Sequence, residues 1–119
     1  MAGISFGPQD EASWMVQGWI VRQLLDDIQA NESLSAELLE VLEATRHLGF
    51  LGVELLSPAL RDELVSSIER VAPGVLDGSI RSTDEETRSG DPNGRAMYRE
   101  ALRLILQATR AGKDAGTSR

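Results

Sequence analysis

Residues 34–56, LSAELLEVLEATRHLGFLGVELL, decide the fold that the sequence predicts. Their first half has the period of an amphipathic helix, because leucines recur every four residues from Leu34 while glutamates occupy the opposite side. The second half, residues 48–56, contains a single charge, at Glu54. A helix that is apolar on all sides must be covered on all sides. We therefore expect residues 48–56 to form the buried centre of the protein, surrounded by other helices.

The composition of the chain favours a single all-α domain. With 119 residues, the chain is long enough to build a hydrophobic core without disulfides or metal ions. Aromatic residues make up only 4%, and no run alternates apolar and polar residues over the length of a strand, so strand signals are weak. The absence of cysteine excludes a disulfide framework, a thiolate zinc site and a cysteine nucleophile.

Capping signals divide the chain into four main helices. The first helix is predicted from Asp10 to about residue 30, and the second begins after Ser35, whose hydroxyl can cap it. Ser57-Pro58 begins a third helix, which should end at Pro73-Gly74. Asp91-Pro92 repeats the same start signal for the fourth helix.

The predicted fold is a compact all-α bundle of these four helices, or of five if the second helix breaks near Gly49. One long polar loop, residues 77–91, precedes the last helix. We expect an irregular lead-in over residues 1–9 and a single helical domain over residues 10–112, with the glycine at its end as the helix stop. Residues 113–119 should form a disordered tail.

The lack of targeting signals and the charge of the chain limit the expected cellular location and the expected types of partner. The first residues have neither a basic start nor an apolar core before Pro8, and every long apolar stretch is interrupted, so we expect a cytoplasmic protein without membrane contact. The net charge of −7 is unevenly distributed, because residues 1–76 carry −8 and residues 95–119 carry +4. An acidic body repels phosphates, so nucleic acid is not an expected partner.

The only histidine, His47, lies one turn after Glu43, and such a pair could bind a metal ion or relay a proton. Carboxylate-bridged di-iron bundles need Glu-x-x-His on two helices. Here Ala44 occupies the glutamate position and there is no second histidine. We therefore predict a solvated histidine and no metal site. A Gly-rich phosphate loop is also lacking, and nothing in the sequence supports an enzyme or a cofactor.

Four arginines form a stripe along the predicted fourth helix. Arg95, Arg99 and Arg103 are spaced by four and Arg110 returns to their side, so all four fall within about 80° of the helix circumference. Such a stripe could bind a phosphate ligand or an acidic partner. The alternative is intramolecular pairing with the acidic face of helix two, where exposed ion pairs contribute only about 0–1 kcal/mol each. We favour the intramolecular alternative.

The predicted first helix carries more apolar surface than one core-facing seam needs. The seam runs through Trp14 and Leu25 with helical spacing. The apolar residues outside it are Met15, Val16, Trp19 and Ile20. Exposed contiguous apolar patches mark contact sites, and Trp and Met are enriched at protein interfaces. The alternative is that helix one is sandwiched between other elements of the same chain.

Charge and apolar surface together support three functional hypotheses. The first is a non-enzymatic protein-binding module of regulatory or inhibitory type, comparable with an immunity or antitoxin protein. In this hypothesis, the apolar patch of helix one binds a basic protein. An acidic helical surface would steer that partner, and its residues are Glu37, Glu40 and Glu43. The second hypothesis is a homodimeric structural or assembly subunit. The third is a phosphate-ligand binder or small enzyme that uses the arginine stripe.

Overall fold

The computed structural model describes residues 2–7, 10–81 and 92–117, which contain four α-helices and a three-stranded sheet. The helices are α1 (Gly18–Asn31), α2 (Ala36–Leu48), α3 (Pro58–Asp77) and α4 (Pro92–Thr117). The strands are β1 (Ala2–Ser5), β2 (Ser13–Val16) and β3 (Phe50–Gly52). The all-α prediction is therefore wrong, because the mostly helical protein also contains a mixed sheet.

β1 is the central strand, with β2 antiparallel on one side and β3 parallel on the other. β2 follows β1 after a connection that includes a 3₁₀ turn at Asp10–Ala12. The parallel strand β3 is reached only after the crossover through α1 and α2, as a parallel pair requires. The prediction of an irregular lead-in over residues 1–9 is thus corrected, because Ala2–Ser5 is the strand that joins the other two.

The first predicted helix divides into a strand and a helix. Residues 13–16 form β2, and α1 begins only at Gly18. As a strand residue, Trp14 turns inward and is only 2% exposed, and its Nε1–H donates to the backbone oxygen of Ala101 in α4 at 2.8 Å. Its neighbour Met15 points to the opposite side and is exposed, which is the alternation of a strand.

The cap predicted for α2 at Ser35 is confirmed, because the Oγ of Ser35 accepts a hydrogen bond from the backbone N–H of Leu38 at 3.2 Å. The helix ends at Leu48 because Gly49 adopts a left-handed conformation with a φ of 78°, which residues with a side chain rarely adopt. The break near Gly49 that the sequence left open therefore occurs.

Residues 48–56 do not form a buried helix, and that prediction is wrong. After Gly49 the chain forms β3 and a 3₁₀ turn at Val53–Leu55. Leu51 is buried in this stretch, whereas Leu48 and Leu55 are 79% and 86% exposed. Within β3, an extended strand presents alternate residues to the core, so Leu51 turns inward while Phe50 turns outward and is 49% exposed. Leu48 ends α2 and Leu55 lies in the 3₁₀ turn, so neither is positioned by the strand.

α3 begins at the predicted cap but ends later than expected. The Oγ of Ser57 accepts from the backbone N–H of Leu60 at 3.3 Å. The helix continues through Pro73-Gly74 to Asp77. A proline inside a helix forfeits one hydrogen bond but does not compel an end. The helix ends instead where Gly78 adopts a left-handed φ of 86°.

α4 begins at Pro92 as predicted and runs to Thr117, past the stop predicted at Gly112. At Gly112 the helix passes against the backbone of Phe6, where an added Cβ would lie 2.7 Å from the carbonyl oxygen. This glycine permits close packing rather than ending the helix, so part of the tail predicted as disordered over residues 113–119 is helical.

Most of the long loop predicted before α4 lies outside the described residues, because these do not include residues 82–91. The cap predicted at Asp91 lies outside them as well.

The core lies between the inner face of the sheet and the four helices. The strand register places Trp14, Ile4 and Leu51 in one inner row, and each is at most 9% exposed. Buried aliphatic side chains from every described helix pack against this row and one another. None of the described helices combines the length and the apolar character that crossing a lipid bilayer requires.

Candidate interaction surface

The face of the sheet that points away from the core carries large apolar side chains as well as two serines. Paired residues on neighbouring strands project to the same side of a sheet, so the register defines two outward-facing rows. The first row consists of Met15, Gly3 and Phe50. The second row, beside the first, consists of Ser13, Ser5 and Gly52.

Two large side chains cover the glycines of these rows. Met15 lies over Gly3, where an added Cβ would stand 2.5 Å from its Sδ, and Leu55 lies over Gly52, where an added Cβ would stand 3.2 Å from its Cδ1. Together with Phe50 these side chains form an apolar strip across the sheet. Met15 is 47% exposed, Phe50 49% and Leu55 86%. We call these three residues and the two glycines the outer sheet face.

The outer sheet face departs from the usual pattern of a sheet with one solvated side. Such sheets alternate hydrophobic residues inward with polar residues outward; Ser5 and Ser13 follow that pattern, whereas Met15 and Phe50 do not. An exposed apolar patch on a folded domain marks a contact site more often than an isolated exposed residue does. β2 and β3 are also the two edge strands within the described part of the chain, so the strip reaches both edges of the sheet. These features make the outer sheet face the best candidate for a protein contact.

The outer sheet face continues onto α4 and is flanked by acidic residues. A shallow depression of about 320 Å³ is lined by both Met15 and Leu104, and Leu104 is 45% exposed. Glu11 lines the same depression, and Glu54 directly precedes Leu55 at the other end of the strip. Both glutamates are exposed. A complementary surface would therefore present apolar groups flanked by positive charges.

The apolar patch predicted on helix one is not a single surface. Met15 and Val16 belong to β2, and Ile20 is 3% exposed within the core. Trp19 is half-buried against the core, and its ring centroid lies 6.5 Å from that of Tyr98. The chain itself therefore covers much of the surface that the sequence assigned to a partner. Met15 is the member of the predicted patch that belongs to the outer sheet face.

The predicted acidic surface lies along the exposed side of α2, at Glu37, Glu40 and Glu43. The Nδ1 of His47 lies 2.9 Å from the backbone oxygen of Glu43 and 3.8 Å from its Oε1, and both side chains are exposed. Within the described residues, no group of three possible ligands stands close enough to hold a metal ion. These glutamates form an exposed acidic surface on α2.

The described contacts of the arginine stripe are with α3 and within α4, not with α2 as we had favoured. The guanidinium of Arg99 donates to the backbone oxygens of Val75 and Leu76, at the C-terminal end of α3 where helix carbonyls need partners. Arg103 pairs with a glutamate of its own helix at 3.2 Å. Arg95 and Arg110 are exposed. Arg99 therefore supports the packing of α4 on α3, whereas Arg103 makes its contact within α4.

A buried polar network that the sequence analysis missed joins α1 to α4. Asp27 is fully buried, and its carboxylate accepts from the hydroxyl of Tyr98 at 2.6 Å and from Nε2 of Gln23 at 3.0 Å. Burial raises the pKa of Tyr98 well above its usual range, and the negative charge of Asp27 adds to the effect. The only signal in the sequence is that Gln23 and Asp27, four residues apart, adjoin core positions of α1. We assign this network to the stability of the fold.

Phe50 and Leu55 are the members of the outer sheet face that the sequence analysis placed in the buried centre. The signal that could have separated them from the core is Gly49, since a glycine after an amphipathic helix often ends it in the left-handed conformation. The short strand that follows then turns Phe50 outward and Leu51 inward.

Comparison with known proteins gives no assignment, since neither a protein-family model, nor a curated protein, nor a solved structure matches this chain. The function is therefore inferred from the chemistry of the described residues. Their most informative feature is the outer sheet face.

Proposed function

We propose that this chain is a non-enzymatic protein-binding module of regulatory or inhibitory type, acting through the outer sheet face in the cytoplasmic setting that the sequence predicts. The observation that supports the proposal is the exposure of Met15, Phe50 and Leu55 on one side of the sheet. Removing apolar surface from water favours association, and the net affinity is what remains after the cost of ordering both partners. Aromatic and methionine side chains are also enriched at the centres of protein interfaces.

The partner that fits this surface is a basic protein that presents apolar side chains flanked by lysine or arginine. Glu11 and Glu54 would pair with those basic residues at the two ends of the strip. The charge of −8 on residues 1–76, which includes the glutamates of α2, would accelerate the encounter with a basic partner. Binding should therefore slow as salt is added.

A second copy of this chain is the less favoured partner. Each copy carries a net charge of −7, so two outer sheet faces would approach against mutual repulsion. The acidic residues at the ends of the strip, Glu11 and Glu54, would face each other rather than a basic group. Light scattering at micromolar concentration should therefore give the mass of one chain. A dimer that Leu55→Asp dissociates would reassign the outer sheet face to self-association.

Leu55→Asp should weaken partner binding at least tenfold while the protein stays folded. Leu55 is 86% exposed, so its replacement removes little from the core, but an aspartate there would be desolvated in the complex. A loss of about 1.4 kcal/mol in binding free energy already corresponds to a tenfold change in Kd. Affinity capture from the host lysate, mass spectrometry and titration of the captured protein provide the measurement.

Leu39→Asp is the matched control, because Leu39 is also an exposed leucine but lies on α2. A basic protein bound by the wild type and by Leu39→Asp, but lost from Leu55→Asp, would support the proposal. Capture of the same proteins with the same affinity by all three would refute it. Circular dichroism of each variant verifies that the helical signal is retained.

A further inference from the structure

The depression of about 320 Å³ beside Met15 lies between the edge strand β2 and α4. Three successive residues of β2 line one side of it, namely Ser13, Trp14 and Met15. Leu104 and Gln107, which are exposed and about one turn apart on α4, line the other side. We call this depression the β2–α4 groove. It borders an edge of the sheet that has no neighbouring strand within the described part of the chain.

The backbone of Met15 directs its hydrogen-bonding groups away from β1. In an antiparallel pair, every second residue exchanges its backbone hydrogen bonds with the other strand, and the residues between direct theirs outward. The N–H of Phe6 donates to the backbone oxygen of Ala12 at 2.8 Å, which sets this alternation for the β1–β2 pair. Trp14 therefore pairs with β1, whereas the N–H and C=O of Met15 and the C=O of Ser13 point to the open edge. No hydrogen bond among the described residues uses these three groups.

The side chains around the groove combine apolar surface with one carboxylate. Met15 is 47% exposed and Leu104 45% exposed. Glu11 is exposed at the same groove, and none of the salt bridges between described residues involves it. Lysine and arginine pack an apolar stem against such surface while the charged end stays at its rim. The groove therefore fits a basic side chain.

We infer that the basic partner adds an extended segment to the open edge of β2, inside the β2–α4 groove. A strand paired with β2 would lie about 4.8 Å from it, and such added strands gain affinity from main-chain hydrogen bonds. The N–H and C=O of Met15 pair with the segment. One lysine or arginine of the segment packs its stem against Met15 and Leu104 and pairs with Glu11. This inference rests on the proposed function, because it specifies how the partner binds beside the outer sheet face.

The probe for the groove is the capped peptide acetyl-Val-Thr-Arg-Thr-Val-amide, whose β-branched residues favour an extended backbone. NMR titration of the full chain should give saturable shifts at Met15 and Leu104, with a Kd on the order of 1 mM. The same peptide with glutamate in place of arginine should bind about tenfold more weakly, because Glu11 repels it. Equal affinity for both peptides, or no saturable shift at β2, would overturn the inference.

Two N-methylated forms of the arginine peptide test whether its backbone pairs with β2. One form is methylated at the amides of its second and fourth residues, and the other at those of its third and fifth. Because alternate residues of an added strand face the edge, only one form loses its hydrogen bonds to β2. That form should bind about tenfold more weakly than the other. Equal affinity of the two forms would show that the peptide is not an added strand.

Met15→Pro and Met15→Ala form a matched pair on the protein side. Both remove the same side chain, but only proline removes the outward N–H, and an edge strand tolerates proline where the N–H faces solvent. Folded Met15→Pro, verified by circular dichroism, should bind the arginine peptide about fivefold more weakly than Met15→Ala. The same affinity in both variants would contradict strand addition. If Met15→Pro does not fold, the N-methylated peptides decide the question.

Leu55→Asp separates this inference from the proposed function, because Leu55 does not line the groove. Loss of the captured partner from Leu55→Asp, with no peptide bound at β2, would refute strand addition and leave the outer sheet face as the contact. Peptide binding at β2, with capture unchanged in Leu55→Asp, would refute the proposed contact and leave the groove as a peptide site. Shifts of the Met15 amide with protein concentration alone would assign the edge to a second copy of this chain and overturn the inference.

Discussion

Trp14→Ala should lower the free energy of unfolding by about 3–5 kcal/mol, the range for removing a large aromatic side chain from a core. Trp14 is 2% exposed, stands beside Ile4 in the inner row of the sheet, and ties β2 to α4 through its hydrogen bond to Ala101. Because small domains have a total stability of about 5–15 kcal/mol, the variant should lose a large fraction of it. Denaturant unfolding followed by circular dichroism measures the change.

Trp14→Phe separates the two contributions of this side chain. It keeps an aromatic ring in the core but removes the Nε1–H that donates to Ala101, so its cost should be clearly smaller than that of Trp14→Ala. If Trp14→Ala changed stability by no more than about 0.5 kcal/mol, as exposed substitutions do, the docking of β2 on α4 would be wrong.

Tyr98→Phe should lower the free energy of unfolding by about 1.5–3 kcal/mol, because it removes the hydroxyl that donates to the buried carboxylate of Asp27. The ring remains in place beside Trp19, so little packing is lost. Denaturant unfolding near pH 7 measures this cost. The neighbouring control Met97→Leu replaces an exposed residue and should be nearly neutral.

The same tyrosine should make the protein less stable in alkali. The pKa of Tyr98 is raised in the folded state, so the folded protein keeps the phenolic proton at a pH where the unfolded chain has lost it. The unfolded state then binds fewer protons, and the tyrosine contribution to stability falls by about 1.4 kcal/mol per pH unit above about pH 10. Below that pH the contribution is constant.

Two measurements check this alkaline loss. Tyr98 is the only tyrosine in the chain, so phenolate absorbance should rise together with unfolding rather than before it. The fall in stability above pH 10 should be shallower in Tyr98→Phe than in the wild type. Phenolate absorbance that appears near pH 10 in the folded protein would show that Tyr98 is not enclosed with Asp27.

The starts of α2 and α3 were predictable because their signals act within one turn, whereas α1 begins eight residues after its predicted start at Asp10. Ser35 and Ser57 each accept a hydrogen bond from a backbone N–H three residues later, and neither bond depends on the rest of the fold. The strands were not predictable in this way, since β1 and β3 are far apart in the chain and pair only when the fold is complete. The spacing of Trp14 from α1 matches a helical seam by coincidence and concealed β2.

The candidate contact surface was only partly predictable for the same reason. The sequence predicts Met15 at a contact surface but Phe50 in the core, because the apolar run of residues 48–56 predicts a helix that is covered on all sides. A strand divides the same apolar run between two faces, so Leu51 turns inward and Phe50 outward. The buried charge of Asp27 was hidden because its partner Tyr98 lies in another helix.

Amide hydrogen exchange of this chain with and without its captured protein partner tests most directly whether the outer sheet face is the contact. We expect slower exchange at Ser13–Val16 and Phe50–Gly52 in the complex, because these edge strands carry Met15 and Phe50. Exchange in α2 should change little, because the proposal gives its glutamates a long-range role without direct contact. Protection confined to α2 or α4, with both edge strands unchanged, would contradict the account.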